Sequence, residues 1–138
     1  MGTTSSGNDN RLPKSRILRG SKNFNRLFER KGVKIFNARM LSFRFRLLPG
    51  QPEEGCQIGF IVKRTLGKAS YRNRVKRLMR EVYRKNQQQL CDTVADNGVG
   101  FHGAFSTRTL DLDYDQVRDD ITHLLDRTSQ FIDSSSSS

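Results

Sequence analysis

A small sandwich of α+β or α/β type, with helices packed on one sheet, is the fold class this sequence predicts. Three observations predict it. Apolar residues alternate with polar ones over Arg39 to Leu48 and recur over Cys56 to Lys63, as strands require. From Ala69 to about Gln88 the period lengthens to that of a helix, and a second helical period follows Asp113. The order helix, strands, helix, strand, helix then suits one sheet with helices against it. With 138 residues and 15.9 kDa the chain fits a single domain with one core. Only 34% of its residues are hydrophobic, and both ends are rich in small polar residues. Residues 1–10 and the serine run 134–138 are therefore expected to be disordered tails, leaving 11–133 as the domain.

Taken in order, Ser21 to Lys31 opens with a serine suited to an N-cap, places Phe24, Leu27 and Phe28 at helical spacing and meets Gly32 as a stop. In Arg39 to Leu48, Leu41, Phe43, Phe45 and Leu47 alternate with Ser42, Arg44 and Arg46, giving a strand with one apolar and one basic face before Pro49 and Gly50 end it. Gln51 to Gly55 reads as a turn, and Cys56 to Lys63 as the next strand. Gly98 to Ser106 alternates Val99, Phe101 and Phe105, but its three glycines weaken the strand signal. Asp113 with Gln116 three residues on makes a capping pair, and Val117, Ile121, Leu124, Leu125 and Thr128 share one face of the helix that follows.

Charge narrows the function. The net charge is +11 and the isoelectric point about 10.4, which calls for a polyanionic partner. No stretch has the length of a transmembrane helix and the N-terminus lacks an apolar signal region, so nucleic acid in the cytoplasm is favoured over a membrane. Cys56 and Cys91 stand alone without a CxxC, and with His102 and His123 they give neither a zinc site nor a disulfide framework; they read as reduced thiols.

The charge is concentrated. Between Lys63 and Lys85 ten basic residues face a single acid, Glu81. On a helical wheel with Arg72 at zero, Tyr71, Val75, Leu78, Met79 and Val82 fall between about 240° and 340°, the expected buried stripe. Arg72, Asn73, Lys76, Arg77, Arg80 and Arg84 span about 0° to 140°, and Tyr83, at about 20°, joins them as a candidate for contacting a polyanion. Like charges stack four apart at Arg72, Lys76, Arg80 and Arg84, each pair costing a few tenths of a kcal/mol in the free protein. A neutralising partner explains that arrangement better than solubility does, and the arginine forks suit phosphate. From Asp111 to Asp133, by contrast, seven aspartates meet two arginines, so the last helix is acidic.

The run from Gly59 to Glu81, with Lys63 and Arg64 ending a strand, Gly67-Lys68-Ala69 as a turn, and Arg72-Asn73-Arg74 followed by Val75-Lys76-Arg77 and Arg80, resembles the signature of the bacterial ribonuclease P protein subunits. Arg11 to Arg16 and Asn23 to Phe28 are similar to that family's opening; the likeness extends to about Gln89 and is weak in the C-terminal third. The resemblance implies an α+β sandwich with a sheet of about four strands, helices on one face and a left-handed βαβ crossover. It also implies an accessory to a ribozyme: the RNA subunit carries out Mg²⁺-dependent removal of the 5′ leader from precursor tRNA, and the protein binds ribonuclease P RNA and the leader. Carried over by position, Arg64, Lys68, Arg72, Asn73, Arg74, Lys76, Arg77 and Arg80 would face RNA, with Arg84 beside them on the wheel. Phe24, Phe28 and Phe43 would line the leader cleft, a role suited to aromatics beside a positive groove, although core packing is the commoner fate of phenylalanine.

No catalytic group is expected in the protein itself. Asp111 to Asp115 lacks the glycine and glutamate of a calcium loop, having Gln116 and Thr122 there, and reads as helix capping. The rival reading is a structural RNA-binding protein such as a ribosomal protein. A DNA-reading helix fits less well, because the basic residues cover a broad face.

Overall fold

The computed structural model describes residues 16–29 and 31–137. The expected N-terminal tail, 1–10, and the family-like opening up to residue 15 lie outside them. Helix α1 (Ser21–Arg26) leads to strands β1 (Lys34–Asn37), β2 (Leu41–Pro49) and β3 (Cys56–Ile61). Helices α2 (Ala69–Asn86) and α3 (Gln88–Asp96), strand β4 (Val99–Thr107) and helix α4 (Tyr114–Ser137) complete the order. The four strands form one sheet in the order β1-β2-β4-β3. β1 and β4 each pair antiparallel with β2, whereas β3 lies parallel to β4 and is joined to it through α2 and α3.

Register sets the two faces. Phe36, Phe43, Phe105 and Phe60 occupy one row across all four strands. Their rings and those of Phe45 and Phe101 build an aromatic layer, with Phe43 and Phe105 stacked at 4.2 Å and Phe45 and Phe101 at 5.4 Å. Against it lie Val75, Met79, Val82 and Tyr83 of α2, Leu90, Cys91 and Val94 of α3, and Val117, Ile121, Leu124 and Leu125 of α4. Phe43, expected in a leader cleft, is thus fully buried in the core. Strand alternation puts it on the same face as Phe45, the face that α2 to α4 cover. Gly103 makes this packing possible: a Cβ there would sit 2.7 Å from the Phe43 ring. Two of the three glycines that weakened the strand signal, Gly100 and Gly103, lie within a continuous nine-residue strand, and Gly98 precedes it.

Other expectations shift in detail. Ser21 lies inside α1 rather than capping it, and the helix ends at Arg26, short of Lys31, as Leu27 turns inward to full burial. The Leu27 carbonyl is taken by Arg44 Nη1 at 3.2 Å. Helices do not share one face: Leu18, Phe24 and Leu27 pack around Ala104 and Ile61, on the side of the sheet opposite α2 to α4. The edge strand β1 and the helix α3 are additional elements. α4 continues through Ser137, into the serine run expected as a tail, because extending a helix already held by the core costs little compared with nucleating one.

At its start α4 has the expected reciprocal cap. Gln116 N–H donates to Asp113 Oδ1 at 2.8 Å and Asp113 N–H to Gln116 Oε1 at 3.0 Å. Further along, the buried Asp120 carboxylate accepts the backbone N–H groups of Met40 (2.7 Å) and Leu41 (3.0 Å), tying α4 to the start of β2.

Candidate nucleic-acid interface

Two surfaces gather the predicted residues. The first is α2 with the turn before it. Arg64, Lys68, Asn73, Arg74, Arg77 and Arg80 are exposed, and Arg72, Lys76 and Arg84 are half-buried at its margins. The buried stripe, Val75, Met79, Val82 and Tyr83, lies between about 280° and 20° on the wheel, rotated by roughly 40° from the expected one. Two assignments change with it. Tyr83, expected at the polyanion, is fully buried, while Tyr71, expected in the stripe, is 57% exposed beside the basic residues. The rotation follows from the contacts of α2 with α3 and β3, which draw Tyr83 between Cys56 and Cys91.

Several of these cations are held in place. Arg72 Nε donates to the Gly67 carbonyl at 3.0 Å, bracing the turn onto the first helical turn, and Arg74 Nη2 reaches the Leu112 carbonyl at 3.3 Å. The Arg80 guanidinium lies 5.8 Å from the Phe60 ring centre. Arg84 is paired with Glu81, which holds the Glu81 carboxyl below its usual range, chiefly through their hydrogen bond. Lys85 also approaches Glu81 and sits 5.5 Å over Tyr114. No side chain caps α2 and no acid occupies its first turn, so its free N–H groups and positive dipole end add to the local cationic field. A groove of about 430 Å³ between α2 and α4 is lined by Arg74, Arg77, Leu78, Glu81, Asp113 and Tyr114.

The second surface is the face of the sheet away from the aromatic layer. Phe28 is 55% exposed, with the Arg44 guanidinium 4.4 Å from its ring centre. Phe24 is half-buried and rests on bare backbone at Gly59, where a Cβ would come within 2.5 Å of its ring. Arg46 and Ser42 point to this side by strand alternation, as does Ile35, exposed on the edge strand. His102 is buried in the same row as Arg46, and its Nε2 lies 3.1 Å from Glu54 Oε1. Burial lowers its pKa, the nearby Arg46 and Arg26 add to that, and Glu54 opposes it.

Sequence reasoning placed eight of the nine α2 and turn cations and amides at the solvent boundary through one motif, and Arg84 through the wheel. The basic side of β2, Arg44 and Arg46, was visible in the strand alternation, but its juxtaposition with Phe28 was not. Tyr71 and Tyr114 carried no signal of their own. Among the described residues no three His, Cys, Asp or Glu side chains gather as a metal-binding set, and no helix is long and apolar enough to cross a membrane.

An α+β fold with a basic helix on one side of its sheet and an aromatic–arginine surface on the other is, in class, that of an RNA-binding protein. Residues 12–129 match the family described as Ribonuclease P, and the chain belongs to that family. It is 30% identical over 118 residues to the ribonuclease P protein component of Finegoldia magna, covering 86% of this chain and 95% of that one. The structure is similar to that of the ribonuclease P protein from Thermotoga maritima, with a TM-score of 0.63, 27% identity, and coverage of 80% of this chain and 96% of that one. The Staphylococcus aureus ribonuclease P protein shares the fold, with a TM-score of 0.63 at 19% identity over 83% of this chain and 96% of that one. The protein is accordingly a subunit of ribonuclease P, the endoribonuclease of tRNA processing, and a partner of the ribonuclease P RNA. That membership decides against the ribosomal reading.

Proposed function

We propose that this subunit assists the catalytic RNA in removing the 5′ leader of precursor tRNA in the cytoplasm, binding the RNA through α2 and the leader on the opposite sheet face. Hydrolysis and the Mg²⁺ it uses belong to the RNA. One observation carries the reading: α2 presents Asn73, Arg74, Arg77 and Arg80 with Arg64 and Lys68 at its head, all solvent-facing, and the single acid of the helix, Glu81, is already paired. Such a surface is unfavourable alone and is relieved by phosphates, which the uncapped helix start also attracts. The leader, a single strand, is suited to Phe28 and Phe24 beside Arg44 and Arg46, because stacking and a positive groove hold single-stranded RNA with little demand on sequence.

Reconstitution tests it. Adding the purified protein to ribonuclease P RNA at low Mg²⁺ is expected to stimulate cleavage of a precursor tRNA. Absence of stimulation would overturn the assignment.

A further inference from the structure

Away from both surfaces, the side chains of Cys56 and Cys91 meet at the hydroxyl of Tyr83. Each sulfur lies 3.8 Å from the same phenol oxygen, so the two thiols share one hydroxyl as neighbour. They come from different elements: Cys56 opens β3, Cys91 lies in α3 and Tyr83 in α2. Both thiols line a cavity of about 370 Å³ whose other walls include Arg16, Glu53, Glu54, Val94 and Val99. The pair is therefore packed inside the fold yet reached from a space large enough for a small oxidant.

We propose that Cys56 and Cys91 form a reversible thiol-oxidation site, which takes a small peroxide at Cys91 and closes to a disulfide joining β3 to α3.

The environment distinguishes the two sulfurs. The Cys91 pKa is lowered to about 7, first by the hydrogen bond from Cys56, then by that from Tyr83 and by the charge of Arg16, with Asp92 and burial opposing. Cys56 is pushed up by the same mutual hydrogen bond and by burial, and burial keeps the Tyr83 phenol protonated. Cys91 is thus the thiolate and nucleophile. Its sulfur attacks one peroxide oxygen; the S–O bond forms, the O–O bond breaks, and the departing hydroxide takes up the proton that Cys91 gave up. The Cys56 sulfur then attacks the Cys91 sulfenic acid. The S–S bond forms, the S–O bond breaks, and the Cys56 proton leaves with the hydroxide as water. Two thiols have lost two electrons, and the peroxide has become two waters.

The whole of α2 lies between the two cysteines in the chain. The disulfide therefore closes a loop around the RNA-binding helix without touching its basic face, and it restricts the unfolded chain.

The test uses the full chain. After treatment with hydrogen peroxide and alkylation of remaining thiols, the expected product is a monomer lighter by two hydrogen atoms, with a peptide linking Cys56 to Cys91. Its thermal midpoint should stand several degrees above that of the reduced protein, and dithiothreitol should reverse both changes. Cys56→Ser should stop at a Cys91 sulfenic acid that dimedone traps. Two thiols that remain open to alkylation, a Cys91 sulfinic acid beside an alkylatable Cys56, or a disulfide between chains would each overturn the proposal. The first measurement is made on the unsubstituted chain, so it decides the matter even if Cys56→Ser does not fold.

Discussion

Phe43 and Phe28 have the same side chain and opposite tasks, decided by which face of the sheet each meets. Phe43 stacks on Phe105 within the core, whereas Phe28 stands more than half exposed under Arg44. Phe43→Ala is expected to lower stability by about 3–5 kcal/mol, read from urea unfolding. Phe28→Ala should leave stability nearly unchanged and weaken precursor tRNA binding by about 1–3 kcal/mol relative to mature tRNA, the range for one stacked base. Equal loss for precursor and mature tRNA would remove Phe28 from the leader surface. His102 makes a separate claim at this scale. Burial lowers its folded pKa below the usual 6.5, so the unfolded chain binds the proton more readily. The stability it contributes is present above about pH 6.5 and is lost as pH falls from there through the folded value. His102→Gln should flatten that loss, seen as a smaller difference between urea midpoints measured at about pH 7.5 and pH 5.5.

Element by element, legibility followed the strength of local pattern. β2, β3 and α4 were readable because alternation or helical period coincided with clear stops, and because Asp113 and Gln116 form a cap that the chain makes with itself. β1 was not separable, since its burial is partial and its place is fixed by pairing with β2. The wheel for α2 found two faces but misplaced their boundary. A helix straddling a sheet and two other helices rotates to satisfy all three, and the small stripe Val75, Met79, Val82 was extended by Tyr83 rather than Tyr71. Phe43 went astray through the family resemblance, which carries a role by position, whereas the strand's own alternation had already grouped it with Phe45. The basic face of α2 yields a prediction at this scale. RNA affinity should fall with salt, and removing one phosphate contact should reduce the slope of log affinity against log salt by about 0.7–0.9. Arg77→Ala and Arg80→Ala should each do so, as their guanidinium groups are solvent-facing. Arg72→Ala should lower the slope and also loosen the turn at Gly67, whose carbonyl Arg72 holds. Slopes unchanged in all three variants would place the RNA elsewhere.

Across the whole molecule the charges are segregated, with α2 basic and α4 carrying Asp115, Asp119, Asp120, Asp126 and Asp133. Asp120 is spent internally on the backbone of β2, whereas Asp115 and Asp119 stand exposed at the surface beside Arg118. The net charge of +11 therefore acts against the folded state mainly on the α2 side, where compact folding brings like charges together. A polyanion that binds the folded chain relieves this repulsion and adds stability by mass action, about 2.7 kcal/mol when its free concentration is a hundred times its dissociation constant. For a domain of this size that corresponds to a rise in thermal midpoint on the order of 10 °C. The rise should appear with ribonuclease P RNA fragments, shrink as salt is added, and diminish in an Arg77→Ala, Arg80→Ala double variant. Asp119→Asn, on the acidic side, should leave it unchanged. A rise that grows in Asp119→Asn while it shrinks in the double variant would mean that stabilisation follows total charge alone, whereas an unchanged rise in Asp119→Asn would assign it to the face that α2 presents.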